Sequence, residues 1–221
     1  MFKLITAAQA AELIKPHSRL AISGFLAVGA PETLIDAIVE AGTKNLHIIV
    51  IASDYENRGI GKLVANHQVK SAQVSHLGTN KEIQSQMNAG EISIELVPQG
   101  TLMERCRAFG AGLGGILTPT GMGTVVEEGK QVINLNGRDY ILEPAIESDF
   151  ALISAWKADK AGNLVYRKTA RNSNPIMAMA GRITIAEVDE IVGIGELDPE
   201  QVVTPGIFVN YIVLKKEKQN G

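Results

Sequence analysis

The sequence predicts an α/β fold in which a mainly parallel sheet is flanked by helices and interrupted by one β-hairpin excursion. Short β-branched runs alternate with segments whose apolar residues recur at helical spacing. Residues that start and stop helices fall between them, and Asn136-Gly137, set between alternating residues, is a strong two-residue hairpin signal. Strand–helix alternation of this kind builds parallel sheets.

Taken in order, Ala7 to Lys15 carries Ala, Leu and Ile at helical spacing, with Thr6 as N-cap and Pro16 as a stop. Arg19 to Ile22 is a short apolar run that passes into Ser23-Gly24-Phe25 and reads as a strand followed by a tight loop. Pro31, Glu32 and Thr33 open a helix that runs to about Glu40 and ends at Ala41-Gly42. Leu46 to Ile51 suits a strand buried on both faces. The pattern then repeats: 59–66 helical, 69–75 extended, 80–89 helical and 92–97 extended. Gln131 to Leu142 forms the hairpin. Three further strands are expected at 150–154, 183–188 and 207–213, with a turn at 159–163 and a solvated charged end in KKEKQNG. The 221 residues are enough for a sizeable core and are expected to form a single domain, 1–221. In such sheets ligands gather beyond the carboxyl ends of the strands. The segments 24–29 and 99–100 both lie at such ends.

Composition narrows the function. A formal net charge of −3 gives no electrostatic reason to expect nucleic acid or an anionic membrane. The one cysteine, Cys106, excludes an internal disulfide framework and suits a reducing compartment. No apolar stretch approaches the roughly 20 residues that span a bilayer. The start MFKLITAAQAAELIKPHSR lacks a signal-peptide core, so the expected location is cytoplasmic.

Residues 97–129 are glycine-dense and contain no lysine. Glycine lets the main chain approach a ligand closely enough for its N–H groups to hold charge; it also lets elements turn and pack closely. Both readings stand on composition. A phosphate-binding P-loop does not, because Gly115 is followed by Ile116, Leu117 and Thr118 where Lys and Ser or Thr are needed. The dinucleotide fingerprint is equally weak here. No metal site is expected: His17, His47, His67 and His76 lack ligand spacing and no cysteine pair accompanies them. Cys106 in a helical-looking run, without an obvious base, reads as packing. Met177 and Met179 read as helix core. Arg171-Asn172 could meet an anionic ligand group, a partner chain or a surface ion pair.

Two blocks together resemble family I coenzyme A transferases. The stretch Leu20-Ala-Ile-Ser-Gly-Phe-Leu-Ala-Val-Gly-Ala-Pro31 is similar to their amino-terminal signature, and Pro98-Gln-Gly-Thr through Gly-Ala-Gly-Leu-Gly-Gly, Thr-Pro-Thr-Gly and Gly-Thr-Val-Val-Glu-Glu-Gly is similar to their α subunit. Trp156-Lys-Ala-Asp, Ala161-Gly-Asn, Ala170-Arg-Asn and Asn174-Pro175 extend the likeness over nearly the whole chain.

The resemblance implies a CoA-transferase-like fold and half of an enzyme that moves CoA from an acyl-CoA to a free carboxylic acid. In that family a glutamate of the β subunit attacks the thioester, forms an acyl anhydride and then becomes a glutamyl-CoA thioester. The family's nucleophile usually sits in Glu-Asn-Gly or Glu-Ser-Gly. Here Glu56-Asn57 is followed by Arg58, and Glu128-Gly129 belongs to the α-type block, so no nucleophile is expected on this chain. Gln99 matches the glutamine of Pro-Gln-Gly-Thr and is the expected oxyanion-hole donor; the alternative is a glutamine capping a strand-end turn. Ser23, Gly24, Phe25, Leu26, Ala27, Val28 and Gly29 match the segment assigned to CoA binding, and equally suit a turn with a core phenylalanine.

Three departures from the family pattern stand out. Ser23 replaces the first glycine of the pair and could narrow the loop or add a donor. Pro16-His17 replaces Asp-Gly before the strand. Ile51-Ala52 stands where the family often carries Asn-Asp or Asn-Asn, which suggests a preference for less polar acyl groups. The expected assembly is α2β2 with a β subunit, working on an acyl-CoA and a carboxylic acid of the acetate, butyrate or acetoacetate type. CoA is the carried group, and no metal or permanently bound cofactor is expected. The rival reading is a non-catalytic acyl-CoA or small-metabolite binding protein on the same fold.

Overall fold

A computed structural model describes residues 2–215. The predicted terminal stretch beyond 215 lies outside them. Strands β1 (Lys3–Leu4), β2 (Arg19–Ile22), β3 (Leu46–Ala52), β4 (Val69–His76), β5 (Ser93–Leu96), β9 (Ser148–Asp159), β11 (Gly181–Val192) and β12 (Tyr211–Leu214) form one sheet, joined by β10 (Leu164–Val165). Its order is β1-β12-β11-β9-β2-β3-β4-β5. Every pair in that path is parallel; β10 pairs antiparallel with β9.

Side chains alternate along a strand, so the central strands feed two cores. Leu20, Ile22, Ile48, Val50, Ala72 and Val74 meet helices α1 (Ala7–Leu13), α2 (Glu32–Ala41), α3 (Gly61–Ala65) and α4 (Lys81–Asn88) on one face. Ala21, Ile49, Ile51, Ala151 and Ile153 meet α5 (Gln99–Gly110) and α6 (Asn174–Met177) on the other. The β-branched run of β3 is thus buried on both faces, as its composition predicts. Helix ends follow local chemistry. Thr6 and Gln9 form a capping box on α1, Gly42 closes α2 at φ 67°, and the Asn80 side chain caps α4.

The hairpin signal is also realised: β7 (Val132–Leu135) and β8 (Arg138–Pro144) pair across Asn136 and Gly137, both at positive φ. A third strand, β6 (Gly115–Thr118), pairs with β8 and makes the excursion a three-stranded antiparallel sheet. The glycines beside β6 hid it from periodicity. One expected strand starts late. Gly206–Phe208 is a 3₁₀ turn closed by the Phe208 N–H on the Pro205 carbonyl, which leaves Ile207 87% exposed, so pairing begins only at Tyr211.

The chain runs outward from β2 through β3, β4 and β5, then returns to β9 and runs outward the other way through β11 and β12. The β2/β9 boundary is therefore the topological switch point, where a doubly wound sheet opens a crevice at its carboxyl edge.

Candidate functional site

The loop that leaves β2 at this switch point is the segment 23–29. Ser23 is fully buried; its N–H donates to the Leu152 carbonyl of β9 (3.0 Å), and its Oγ donates across the neck of the loop to the Gly29 carbonyl (3.2 Å). Of the two effects expected of this hydroxymethyl, the added donor is the one present. Phe25 and Val28 exchange both backbone hydrogen bonds (3.1 and 3.0 Å) around Leu26 and Ala27, which sit at φ 49° and 64°. This is a two-residue turn of the type that favours Asn-Gly, made here from residues that carry a Cβ. Such backbone costs roughly 1–2 kcal/mol per residue, and the surroundings hold it in place.

Four fasteners reach the loop from outside. The Gly24 N–H donates to Ser173 Oγ (2.9 Å), Asn172 Nδ2 donates to the Val28 carbonyl (2.8 Å), and Asn174 Nδ2 donates to the Gly29 carbonyl (3.0 Å). From the other side the Ala27 N–H donates to Asp54 Oδ1 (2.8 Å). Close approach explains Gly29: at φ 78°, a Cβ there would lie 2.8 Å from both the Ala170 carbonyl oxygen and Asn174 Nδ2. The apolar tip is left outward. Phe25 is 41% and Val28 47% exposed, so the reading of a core phenylalanine is wrong, while Leu26 packs partly against the core beneath. A crevice of about 130 Å³ opens beside Gly29, lined by Ser154, Trp156, Arg167 and Ala170 among others. The Arg167 guanidinium stands 5.5 Å from the Trp156 ring centroid.

Gln99 occupies the same edge of the sheet. Strand β5 ends at Leu96, and α5 begins at Gln99, with the Leu102 N–H bonded to the Pro98 carbonyl (2.9 Å). A helix start leaves its first N–H groups unsatisfied and partly positive, and those of Gln99, Gly100 and Thr101 lie in that first turn. Gln99 is exposed, and among the described residues its carboxamide makes no hydrogen bond within the chain. It does not cap a strand-end turn. The helix behind it is fixed by buried Leu102 and Cys106. Burial pushes the Cys106 thiol up to about 12, which removes it as a nucleophile. From β2 to β5 is three strand spacings, roughly 14 Å.

The glycines that follow α5 mostly serve packing and turns. A Cβ on Gly110 would lie 2.4 Å from Met179 Cβ, and one on Gly115 2.6 Å from the Glu143 carbonyl oxygen. The Gly123 N–H is taken by the chain's own Glu127 Oε2 (2.6 Å). Buried Glu143 then ties the antiparallel sheet down: Lys130 Nζ lies 2.6 Å and Arg105 Nη1 3.4 Å from its oxygens, while Arg105 also reaches Glu95 (3.1 Å) and the Pro144 carbonyl (2.7 Å).

Met177 is fully buried at the end of α6, as expected, whereas Met179 lies in the turn beyond that helix and is half-buried. Asn172 fastens the loop through its Nδ2 to the Val28 carbonyl. Ile51 and Ala52 are buried with Val97 and Leu102 in the core beneath α5. Sequence reasoning missed Asp54, Ser173 and Glu187. Asp54 stands just past the carboxyl end of β3, and that position was the available signal. Glu187 carried none: its Oε2 accepts from the Leu34 N–H (3.0 Å), capping α2 across the sheet where Pro31 offers no side-chain cap.

The coenzyme A transferase family model matches residues 4–215, and the chain belongs to that family. It is 44% identical over 217 residues to the alpha subunit of the acetate CoA-transferase of Escherichia coli (strain K12), covering 98% of this chain and 99% of that one. It is 49% identical over 211 residues to the A-type subunit of the probable succinyl-CoA:3-ketoacid coenzyme A transferase of Bacillus subtilis (strain 168), covering 96% and 89%. Among solved structures, an acyl-CoA transferase of E. coli O157:H7 in a thioester complex with CoA superposes with a TM-score of 0.88 at 24% identity; the match covers all of this chain and 49% of that one. Glutaconate coenzyme A-transferase of Acidaminococcus fermentans gives a TM-score of 0.82 at 20% identity, with coverage of 96% and 75%. These two likenesses support the fold alone. The chain is a CoA-transferase of the α-subunit type, and the names of its relatives imply a partner subunit.

Proposed function

We propose that this chain is the α subunit of a cytoplasmic α2β2 CoA-transferase and supplies the oxyanion hole, while a glutamate of its partner supplies the nucleophile. That carboxylate attacks the thioester carbonyl; the tetrahedral centre collapses to an anhydride and releases CoA thiolate. The thiolate then attacks the glutamyl carbonyl, freeing the first acid and leaving the glutamyl-CoA thioester. A second acid reverses the sequence. Each attack places negative charge on one oxygen, which a preorganised donor stabilises. The observation that carries this reading is the Gln99 carboxamide, which among the described residues has no intrachain partner at the start of α5. Loop 23–29, fastened on both sides with Phe25 and Val28 outward, offers an apolar wall to the acyl-pantetheine arm.

The acids we assign are acetate, butyrate and acetoacetate. Names of relatives support that class, including the acetoacetyl-CoA:acetate/butyrate CoA transferase alpha subunit of Clostridium acetobutylicum, 44% identical over 211 residues. Apolar Ile51 and Ala52 favour the less polar members, so butyrate is expected to turn over faster than succinate in a competition assay. The central test is Gln99→Ala in the complex reconstituted with its partner: kcat is expected to fall ~100- to 1,000-fold. Undiminished turnover overturns the assignment. Transfer by this chain alone overturns the division of labour, and binding of acyl-CoA with no transfer in the complex favours the non-catalytic rival.

A further inference from the structure

Asp54 has no place in the chemistry above, yet it is built into the site's supporting frame. It is 1% exposed and sits at φ 55°, a left-handed conformation that aspartate tolerates better than most residues with a Cβ. Its two oxygens are divided between two segments. Oδ1 accepts from the Ala27 N–H at the tip of the loop (2.8 Å), and Oδ2 accepts from the Ile60 N–H at the start of α3 (3.1 Å). The Asp54 carbonyl accepts from Thr79 Oγ1 (2.8 Å), which fixes the backbone that carries the carboxylate. The neighbouring charges complete the clamp. Glu32 of α2 accepts from the Gly59 N–H (2.9 Å) and is paired with Lys62 of α3 (2.6 Å), which also holds Asp36 (2.5 Å).

Ala27 is one of the two residues forced to positive φ, and its N–H takes no part in the loop's own hydrogen bonds. Left unpaired it would be a donor without compensation, and the strained turn would have nothing to hold its tip against relaxation. The Asn172, Ser173 and Asn174 contacts fasten the base and far limb of the loop but not Ala27.

We infer that Asp54 is a positioning residue for acyl-CoA: its carboxylate locks the tip of loop 23–29 in the conformation that presents Phe25 and Val28 to the substrate. The inference rests on the reading of that loop as the acyl-CoA wall. Lost locking is a loss of preorganisation, which the substrate must supply on binding. It therefore appears in KM for acyl-CoA and leaves the oxyanion step intact.

The test compares Asp54→Asn, Asp54→Gly and Phe25→Ala, each in the complex with the partner subunit. Asparagine tolerates positive φ but has only one acceptor oxygen for the two N–H groups; glycine removes both bonds and keeps the backbone unstrained. Two quantities are read: hydrogen exchange at the Ala27 amide, and KM and kcat for acetoacetyl-CoA. For Asp54→Gly we expect exchange at Ala27 to speed up at least tenfold and KM to rise about tenfold, equivalent to about 1.4 kcal/mol, with kcat within about twofold. Asp54→Asn should fall between that variant and the native chain. Unchanged exchange at Ala27 overturns the lock, whatever happens to KM. Faster exchange with unchanged KM overturns the positioning role, provided Phe25→Ala raises KM. If Phe25→Ala also leaves KM unchanged, the reading of the loop itself fails and the inference falls with it. A thermal midpoint of Asp54→Gly equal to or above the native value, together with raised KM, separates positioning from general loss of fold.

Discussion

A single hydroxyl and a missing Cβ set the neck of the substrate loop. Ser23 Oγ donates to the Gly29 carbonyl, but that oxygen also accepts from Asn174 Nδ2, so it keeps a partner when the hydroxyl is removed. Ser23→Ala is therefore expected to cost only about 0.5–1.5 kcal/mol, the net value of one hydrogen bond. Gly29→Ala is different in kind. It places a methyl 2.8 Å from the Ala170 carbonyl oxygen and from Asn174 Nδ2 at φ 78°, and must displace the Ala170 backbone and Asn174, one of the loop's fasteners. A loss of about 2–3 kcal/mol is expected, measured by urea unfolding of both variants; equal losses would show that the neck relaxes freely. At this scale legibility was uneven. Gln99 and the loop 23–29 could be read because they sit where a strand ends and carry a recognisable motif. Asp54 and Ser173 act through side-chain bonds to backbone 27 and 149 residues away in the chain, and no local pattern encodes such a partner.

Elements were legible where the signal is local. The N-cap at Thr6, the glycine stop at Gly42 and the Asn136-Gly137 turn each rest on neighbouring residues, and each is present. Strand β6 and the shortness of α3 depend on what packs against them, so periodicity over- or under-read them. The antiparallel sheet shows what such packing requires. Glu143 is buried with Lys130 and Arg105 as its cations, and Arg105 also crosses to Glu95 on the edge of the main sheet. Removing one member of a buried charge cluster leaves a charge poorly compensated. Arg105→Met is expected to destabilise the chain by about 3–5 kcal/mol and to detach β6–β8 first, seen as early loss of amide protection at Ile141 and Leu142. Adding Glu143→Met to the same chain should recover part of that loss, because it removes the stranded carboxylate. A double variant as unstable as the single one would argue that Arg105 matters only through its bond to the Pro144 carbonyl.

At the scale of the whole molecule, the sheet order follows from strand alternation only as a class; which strands adjoin the switch point depends on long-range pairing of β2 with β9, some 130 residues apart. Two carboxylates also lie in the interior, Asp54 just past β3 and Glu187 on β11, and both make stability depend on pH. Burial pushes Asp54 from 3.8 up to about 6 and Glu187 from 4.5 up to about 7, against the lowering effect of the backbone N–H groups each one holds. Between about pH 4 and pH 7 the folded chain retains protons that the unfolded chain has released. The unfolded state then binds fewer protons, so unfolding free energy falls as pH rises through this window. His47, held below 6.5 by burial and by His17 and Arg19, works in the opposite direction from a more exposed position. Glu187 allows a clean separation, because its Oε2 holds the Leu34 N–H while its buried Oε1 has no hydrogen-bond partner among the described residues and Lys215 Nζ stands 4.0 Å away. In Glu187→Gln the carboxamide oxygen can take over the Leu34 N–H, and the NH₂ group replaces the oxygen that lacked a partner. The variant is expected to match the native complex near pH 5 and to exceed it by about 1–3 kcal/mol at pH 8, compared by urea unfolding at fixed protein concentration. Glu187→Ala, which uncaps α2 as well, should lose stability at both pH values. A Gln variant weaker than the native complex at pH 8 would mean that the ionised carboxylate is stabilised there by Lys215 and that the interior tolerates its charge.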